Sequence, residues 1–422
     1  MSQFEIAEGV LMSYDGGSGT TAEVPAGVTR IGDSAFRSCG SLTRVILPEG
    51  LTAIGCHAFQ GCAGLREVSL PGSLTVIGSE AFSGCTGLTA LSVPEGVTAL
   101  GGSAFSGCTG LREISLPGSL TDIGEYAFCG CTGLAEVSLP DGITTLRESV
   151  FRDCTGLTRV SFPARLAAIW DCAFRGCAAL GEVTLPDRLV WIGESIFRDC
   201  TGLRAVTLPD SLCVIDCDVF DGCTALTRVT IPERVTVITD WSFSGCTGLR
   251  EVSFPRTLAI IGDNAFQGCT GLTELTLPDG LSIIGSRAFS GCTGLRYIRA
   301  PRIRLLPETL QVKALAWLAS AQRPNLTGRE GRAARALIRE RLEDPDFVAD
   351  VTGTPAVLSF LCRERLLPAA SFDLYLQAAE ETGSPEALAI LLAYQRQGLD
   401  ARKLAAARAA RQSIPDPDSP RS

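Results

Sequence analysis

The sequence predicts an α/β repeat solenoid: twelve stacked coils with a parallel β-sheet on the concave face, followed by an all-α C-terminal domain. Three observations lead there. A phenylalanine returns every 23 residues from Phe36 to Phe289 without an insertion, a cysteine follows each one three residues later, from Cys39 to Cys292, and a proline keeps the same beat from Pro25 to Pro301. Repetition at a fixed period of this size means stacked units, each too small to bury its own apolar side. After Pro301 the beat stops and an Ala-, Leu- and Arg-rich stretch with helical spacing begins. The expected boundaries are an N-terminal capping segment at 1–24, the solenoid at 25–301, a helical domain at 302–412 and a disordered tail at 413–422.

Each coil contains Leu-x-x-Val-x-Leu-Pro, as in Leu65 to Pro71. Val68 and Leu70 alternate as in a strand, and the proline ends it because it has no N–H for a ladder. A turn such as "PGS" follows, then a second apolar pair such as Leu74 and Ile77, then a glycine and a short Ala-Phe turn. Stacking places Leu on Leu, Phe on Phe and Cys on Cys.

The stretch "LREVSLPGSLTVIGSEAFSGC", residues 65–85, resembles the leucine-rich repeat family, in its bacterial BspA-like 23-residue class. The resemblance covers about residues 4–301. It implies a parallel solenoid used for binding, and some members of the family are secreted or surface-attached adhesins.

Twelve of the 18 cysteines form the ladder. Identical placement in every coil points to a small, buried, reduced side chain that touches nearby backbone carbonyls. Such thiols fit a cytoplasmic location. Off the ladder, Cys213 and Cys217 with Cys223 form a local knot, but without C-x-x-C spacing or a second half no metal is expected there.

Composition removes several functions. Net charge is −9, and residues 1–301 hold 20 Lys+Arg against 31 Asp+Glu, a net of −11. Phosphate binding needs clustered cations, so no nucleic-acid partner is expected; a basic protein partner is. No run of 18 apolar residues is present, so no membrane span is expected. The opening "MSQFEIAEGVLMSYDGG" has neither a basic n-region nor an apolar h-region, so no secretory signal is read there. His57 is the one histidine, at a position that other coils fill with Glu, Tyr, Ser or Arg. Repeats lay polar residues in rows and do not converge them, so no enzyme, cofactor or small-molecule substrate is expected.

The strand positions that point away from the core form two columns. One is a monotonous Ser/Thr row. The other reads Arg44, Glu67, Ala90, Glu113, Glu136, Arg159, Glu182, Ala205, Arg228, Glu251, Glu274 and Tyr297. Its charged members and Tyr297 are the candidate partner-binding residues. Glu113 beside Glu136 and Glu251 beside Glu274 place like charges one coil apart, a repulsion that a basic partner relieves. In the middle coils Trp170, Trp191 and Trp241 appear, and glycine gives way to Arg147, Trp170 and Asp216. Two readings of these tryptophans stay open: an interface patch, or larger core fillers.

Helices are expected at roughly 308–321, 328–342, 355–366, 371–382, 385–396 and 399–412. "TGTPAVLSFLCRERLL" at 352–367 and "TGSPEALAILLAYQRQ" at 382–397 form a fainter repeat that weakly resembles ankyrin-type helical hairpins. Thr354 and Ser384 are placed to N-cap, with Pro355 and Pro385 at the first helical position. A helical unit here covers the open strand edge of the last coil, Leu295–Ala300. "LPETL" at 306–310 has Leu310 where a sortase signal needs glycine, and reads as a linker entering a helix. The chain therefore reads as a non-enzymatic protein-interaction module that binds on an acidic concave face. The alternative is a bacterial cell-surface adhesin exported by an unrecognised route.

Overall fold

Each 23-residue coil adds one rung to two parallel ladders. The computed structural model describes residues 3–15, 19–300, 302–320 and 329–398. The chain divides into two compact units, Met1–Leu272 with Ile283–Gly294, and Thr273–Ser282 with Leu295–Ser422.

In the first unit, three-residue strands run from Thr21–Glu23 to Glu251–Ser253. Their pairing is parallel at a constant offset of one coil, for example Glu136↔Arg159 and Val137↔Val160. The central residue points inward and both flanking residues are exposed, as in Glu67–Ser69. A second ladder of two-residue strands runs from Arg30–Ile31 to Ile283–Ile284, with Val237↔Ile260 and Ile238↔Ile261 in register. Of the apolar pair expected after the turn, Ile77 lies in one of these strands and Leu74 precedes it.

The Ala-Phe turn carries a third line of hydrogen bonds running the opposite way. Phe105 N–H donates forward to the Ala127 carbonyl at 2.8 Å, whereas Gly101 N–H in the second ladder donates back to the Ile77 carbonyl at 3.0 Å. The turn's backbone groups are thus paired partly with the neighbouring coil and partly within their own, as in Cys108 N–H to the Phe105 carbonyl at 3.1 Å. To make this turn, each coil holds a non-glycine residue in the left-handed region, from Ser34 (φ 60°) through His57 (φ 56°) and Trp241 (φ 58°) to Arg287 (φ 55°).

The phenylalanine rings stack face to face from Phe36–Phe59, 4.8 Å between centroids, to Phe266–Phe289 at 5.4 Å. At the N-terminal end an antiparallel hairpin, Phe4–Ala7 with Val10–Tyr14, joins the second ladder through Leu11↔Ile31. Tyr14 takes the phenylalanine place, 5.0 Å from the Phe36 ring. The hairpin thus gives the first coil an apolar neighbour that the repeat itself cannot supply.

The second unit opens with the parallel pair Glu274–Thr276 and Tyr297–Arg299. Its helices are α1 (Glu308–Ser320), α2 (Arg329–Arg341), α3 (Pro345–Thr352), α4 (Pro355–Arg363), α5 (Phe372–Glu381) and α6 (Pro385–Gly398). Helix α1 packs against Tyr297–Arg299, α4 against α6, and α3 against α5. Within this unit a helix therefore packs on the final strand, as expected for an open strand edge. "LPETL" leads directly into α1.

Helix α3 was not among the expected helices; the Asp344 side chain caps it by accepting from the Asp346 and Phe347 N–H groups. Ser384 caps α6 through Ala387 N–H, but Thr354 does not cap α4. Its hydroxyl donates back to the Asp350 carbonyl instead, at 2.9 Å. The expected helix at 399–412 and the tail at 413–422 lie outside the described residues.

Candidate functional site

The first ladder presents the candidate column as expected from strand alternation. Arg44, Glu67, Glu113, Glu136, Arg159, Glu182, Arg228 and Glu251 are all exposed on the first unit. Glu274, exposed, and Tyr297, half-buried, are register partners on the second unit.

The column neutralises part of its own charge. Arg44 lies 3.3 Å from Glu67, and Arg228 lies 2.9 Å from Glu251, each pair spanning adjacent coils. Exposed pairs of this kind contribute about 0–1 kcal/mol. None of the described ion pairs includes Glu113, Glu136 or Glu182. Two open depressions lie on this face. One, of about 680 Å³, is lined by Glu67, Ala90 and Glu113 among others; another, of about 610 Å³, is lined by Arg112, Glu113 and Glu136. Ala90 leaves a notch between the carboxylates of its neighbours, because it stops at Cβ.

The cysteine ladder is internal. From Cys62 to Cys292 each thiol donates to the carbonyl oxygen of the phenylalanine 26 residues earlier, at 2.9–3.2 Å. Burial raises the thiols from Cys62 to Cys246; Cys62 and Cys108 are pushed up to about 12. Cys39 has no phenylalanine behind it, is half-buried, and only approaches the Arg37 carbonyl at 4.0 Å.

The knot around Cys213 does not converge. Cys223 is a buried member of the ladder while Cys213 is exposed. Cys217 instead lies with Glu194 and Asp216, their ligand-type atoms within 4.8 Å of one another. Partial burial, and then the neighbouring Asp171, Asp216 and Asp218 carboxylates, raise Glu194. Asp216 already accepts the Cys217 N–H at 2.8 Å. His57 is half-buried and faces Glu80, its Nδ1 3.5 Å from Oε2.

Trp170, Trp191 and Trp241 are exposed. Trp170 and Trp191 meet edge to face with centroids 5.4 Å apart, on the outward side of the second ladder. Of the two readings of these residues, core filler is thereby removed. Sequence reasoning missed the column to which Trp191 belongs. The signal was present in the residue before each inward Ile: Trp191, Val214, Val237, Ile260, Ile283.

Two stacked parallel ladders with an internal Leu/Phe/Cys core define a leucine-rich repeat solenoid. The chain belongs to the BspA type leucine-rich repeat family, whose six-copy family model matches residues 13–135, 121–250 and 214–304. It is similar to a leucine-rich repeat protein from Bacteroides ovatus, at 27% identity over 70% of this chain and 86% of the other, with a TM-score of 0.58. A leucine-rich repeat protein from Eubacterium ventriosum matches at 21% identity over 67% of this chain and 88% of the other, TM-score 0.49. A leucine-rich cell surface protein from Faecalibacterium prausnitzii matches at 26% identity over 70% and 92%, TM-score 0.43. Comparison with curated proteins yields no match. Leucine-rich repeat proteins generally mediate protein interactions. Among the described residues, no helix is long and apolar enough to cross a membrane.

Proposed function

We propose that the chain is a non-enzymatic protein-interaction module that binds a basic partner on the exposed face of the first ladder. The observation that carries the reading is the pair of depressions lined by Glu67, Glu113 and Glu136. Arg44 and Arg228 are occupied by Glu67 and Glu251, and on the first unit the remaining carboxylates Glu113, Glu136 and Glu182 outnumber the remaining cation of the column, Arg159, three to one. A Lys- or Arg-rich segment laid across the coils relieves the repulsion between neighbouring carboxylates and is steered in by the acidic solenoid. Glu274 and Tyr297 are the equivalent positions on the second unit. A reducing, cytoplasmic setting suits eleven thiols that are each engaged as a hydrogen-bond donor to a phenylalanine carbonyl.

The test is fluorescence anisotropy of a labelled ten-residue lysine peptide against the full chain at low salt. Changing Glu113, Glu136 and Glu182 together to Gln should weaken binding about tenfold, at roughly 0.5 kcal/mol per exposed charge. Unchanged binding would reduce the column to a solvated surface.

A further inference from the structure

The second ladder has an outward face of its own, unlike the first in chemistry. In the N-terminal coils its outward positions are mixed: Arg30, Ala53, Ala99, Asp122, Thr145 and Ala168 are small or polar, and Val76 is apolar and exposed. From Trp191 on they turn apolar, and Val214, Val237, Ile260 and Ile283 stand in direct register on successive strands. Trp170 is 51% exposed, Trp191 40% and Val190 60%. A row of uncovered Trp and β-branched side chains on a soluble domain marks an interaction surface.

At the N-terminal end of this row the surface dips into a cleft of about 330 Å³. Its walls carry Asp122, Glu125, Glu148, Arg147 and Trp170. Arg147 is already held by Asp122, with Nε–Oδ1 2.8 Å and Nη2–Oδ2 3.2 Å. Glu148 accepts the Tyr126 hydroxyl at 2.5 Å but keeps its charge, and with Glu125 it leaves net negative charge beside an exposed indole, which suits an alkylammonium or guanidinium group. A second copy meeting this face with the same face would set Asp122, Glu125 and Glu148 near their own counterparts, which like charge disfavours.

We propose that this face is a second docking surface, for an extended peptide segment of a partner. Its Lys or Arg enters the cleft beside Trp170, and its apolar side chains lie along Trp191, Val214, Val237, Ile260 and Ile283. Six coils separate Thr145 from Ile283, roughly 29 Å at about 4.8 Å per coil, and about nine extended residues span it. Neither the column of Glu113 and Glu136 nor any residue of the first ladder is part of this surface.

The test uses the full chain and labelled nine-residue peptides of alternating serine and valine with one terminal arginine, placed at either end, read by anisotropy. At least one arginine peptide should bind, and the matching peptide with glutamate in place of arginine should bind at least about tenfold more weakly. Trp191→Ser should weaken binding about 30-fold, as expected for a central aromatic anchor. Glu125→Gln with Glu148→Gln should weaken it several-fold at low salt, while Glu113→Gln with Glu136→Gln should leave it unchanged. All these positions are exposed or half-buried, and an unchanged thermal melt verifies the fold of each variant. The proposal is overturned if neither arginine peptide binds at millimolar concentration, if the glutamate peptide binds equally well, or if Trp191→Ser has no effect. It is also overturned if sedimentation shows a dimer that Trp191→Ser dissociates, which would give the face to a second copy. Loss of lysine-peptide binding on the first ladder alone would leave this surface standing.

Discussion

The thiol of Cys131 donates to the carbonyl oxygen of Phe105 across 3.1 Å, joining the residue at one corner of a coil to the ring column of the coil before it. The Phe105 carbonyl also accepts the Cys108 N–H at 3.1 Å. Each such carbonyl thus uses both lone pairs internally, and the buried turn has no need of water. The regularity explains why cysteine is kept at a place where a small aliphatic residue fills equal space: only the thiol is both apolar enough to be buried there and able to donate.

This arrangement predicts a steep alkaline limit to stability. An unfolded thiol titrates near the ordinary value of 9.0, whereas Cys62 and Cys108 in the coil are pushed up to about 12 by burial. Between those values the unfolded chain binds fewer protons than the folded one, so stability falls as pH rises. Below pH 9 the contribution is intact. Above it, each buried thiol costs about 1.4 kcal/mol per pH unit. Urea midpoints should be level from pH 7 to 8.5 and fall sharply by pH 10. Cys108→Ala should lower the unfolding free energy at pH 7 by about 1–2 kcal/mol, while making the alkaline decline shallower. A pH 10 midpoint equal to that at pH 8 would contradict the burial of these thiols.

Arg341 makes a separate prediction for the helical unit. Its guanidinium is buried and donates to Asp344 twice (3.0 and 2.8 Å), to Gln311 at 3.1 Å and to Glu308 at 3.2 Å, tying α1 and α2 to the cap of α3. It also lies 5.4 Å from the Phe347 ring centroid. Arg341→Ala removes these hydrogen bonds and the packing of the guanidinium on Phe347, while Glu308 and Asp344 turn to water, and should cost about 2 kcal/mol. Arg341→Lys keeps the charge but loses the planar fork, so it should recover less than half of that. Among the described residues helices occur only in this unit, so circular dichroism at 222 nm follows its unfolding. Equal melts for wild type and Arg341→Ala would remove the guanidinium from the account.

The ring and thiol columns were legible because a 23-residue beat leaves only one register in which twelve identical apolar positions coincide. Exposure of Arg44 through Glu251 was legible too, from strand alternation alone. The second ladder was not. A two-residue strand such as Val214–Ile215 shows no period, so its outward residue reads as part of a loop. Helix α3 was overlooked because eight residues carry little periodic signal, although Asp344-Pro345 is a start signal in plain sight. Thr354 failed as a cap for a local reason: its hydroxyl is taken by the last turn of α3, and no spacing rule weighs that competition. The pairing of Arg44 with Glu67 depends on rotamers, which sequence does not specify.

The turn before each phenylalanine holds the last prediction. Arg287 is exposed and lies in the left-handed region at φ 55°, like its eleven counterparts back to Ser34. For a residue with a Cβ this conformation costs about 1–2 kcal/mol. Glycine removes that cost but gains about 0.4–1 kcal/mol of entropy in the unfolded chain. The first term is larger, so Arg287→Gly should stabilise the first unit slightly, by about 0.5–1 kcal/mol. Gly107 is the opposite case: at φ 70°, with the Gly84 Cα 3.8 Å from where its Cβ would stand, space is ample and only the backbone conformation resists substitution. Gly107→Ala should therefore destabilise by about 1 kcal/mol. Chemical denaturation of the two variants, followed by tryptophan fluorescence, reads both signs. A destabilised Arg287→Gly would mean that the arginine side chain makes an interaction worth more than the backbone strain it carries, and that coils choose this residue for contact rather than tolerate it.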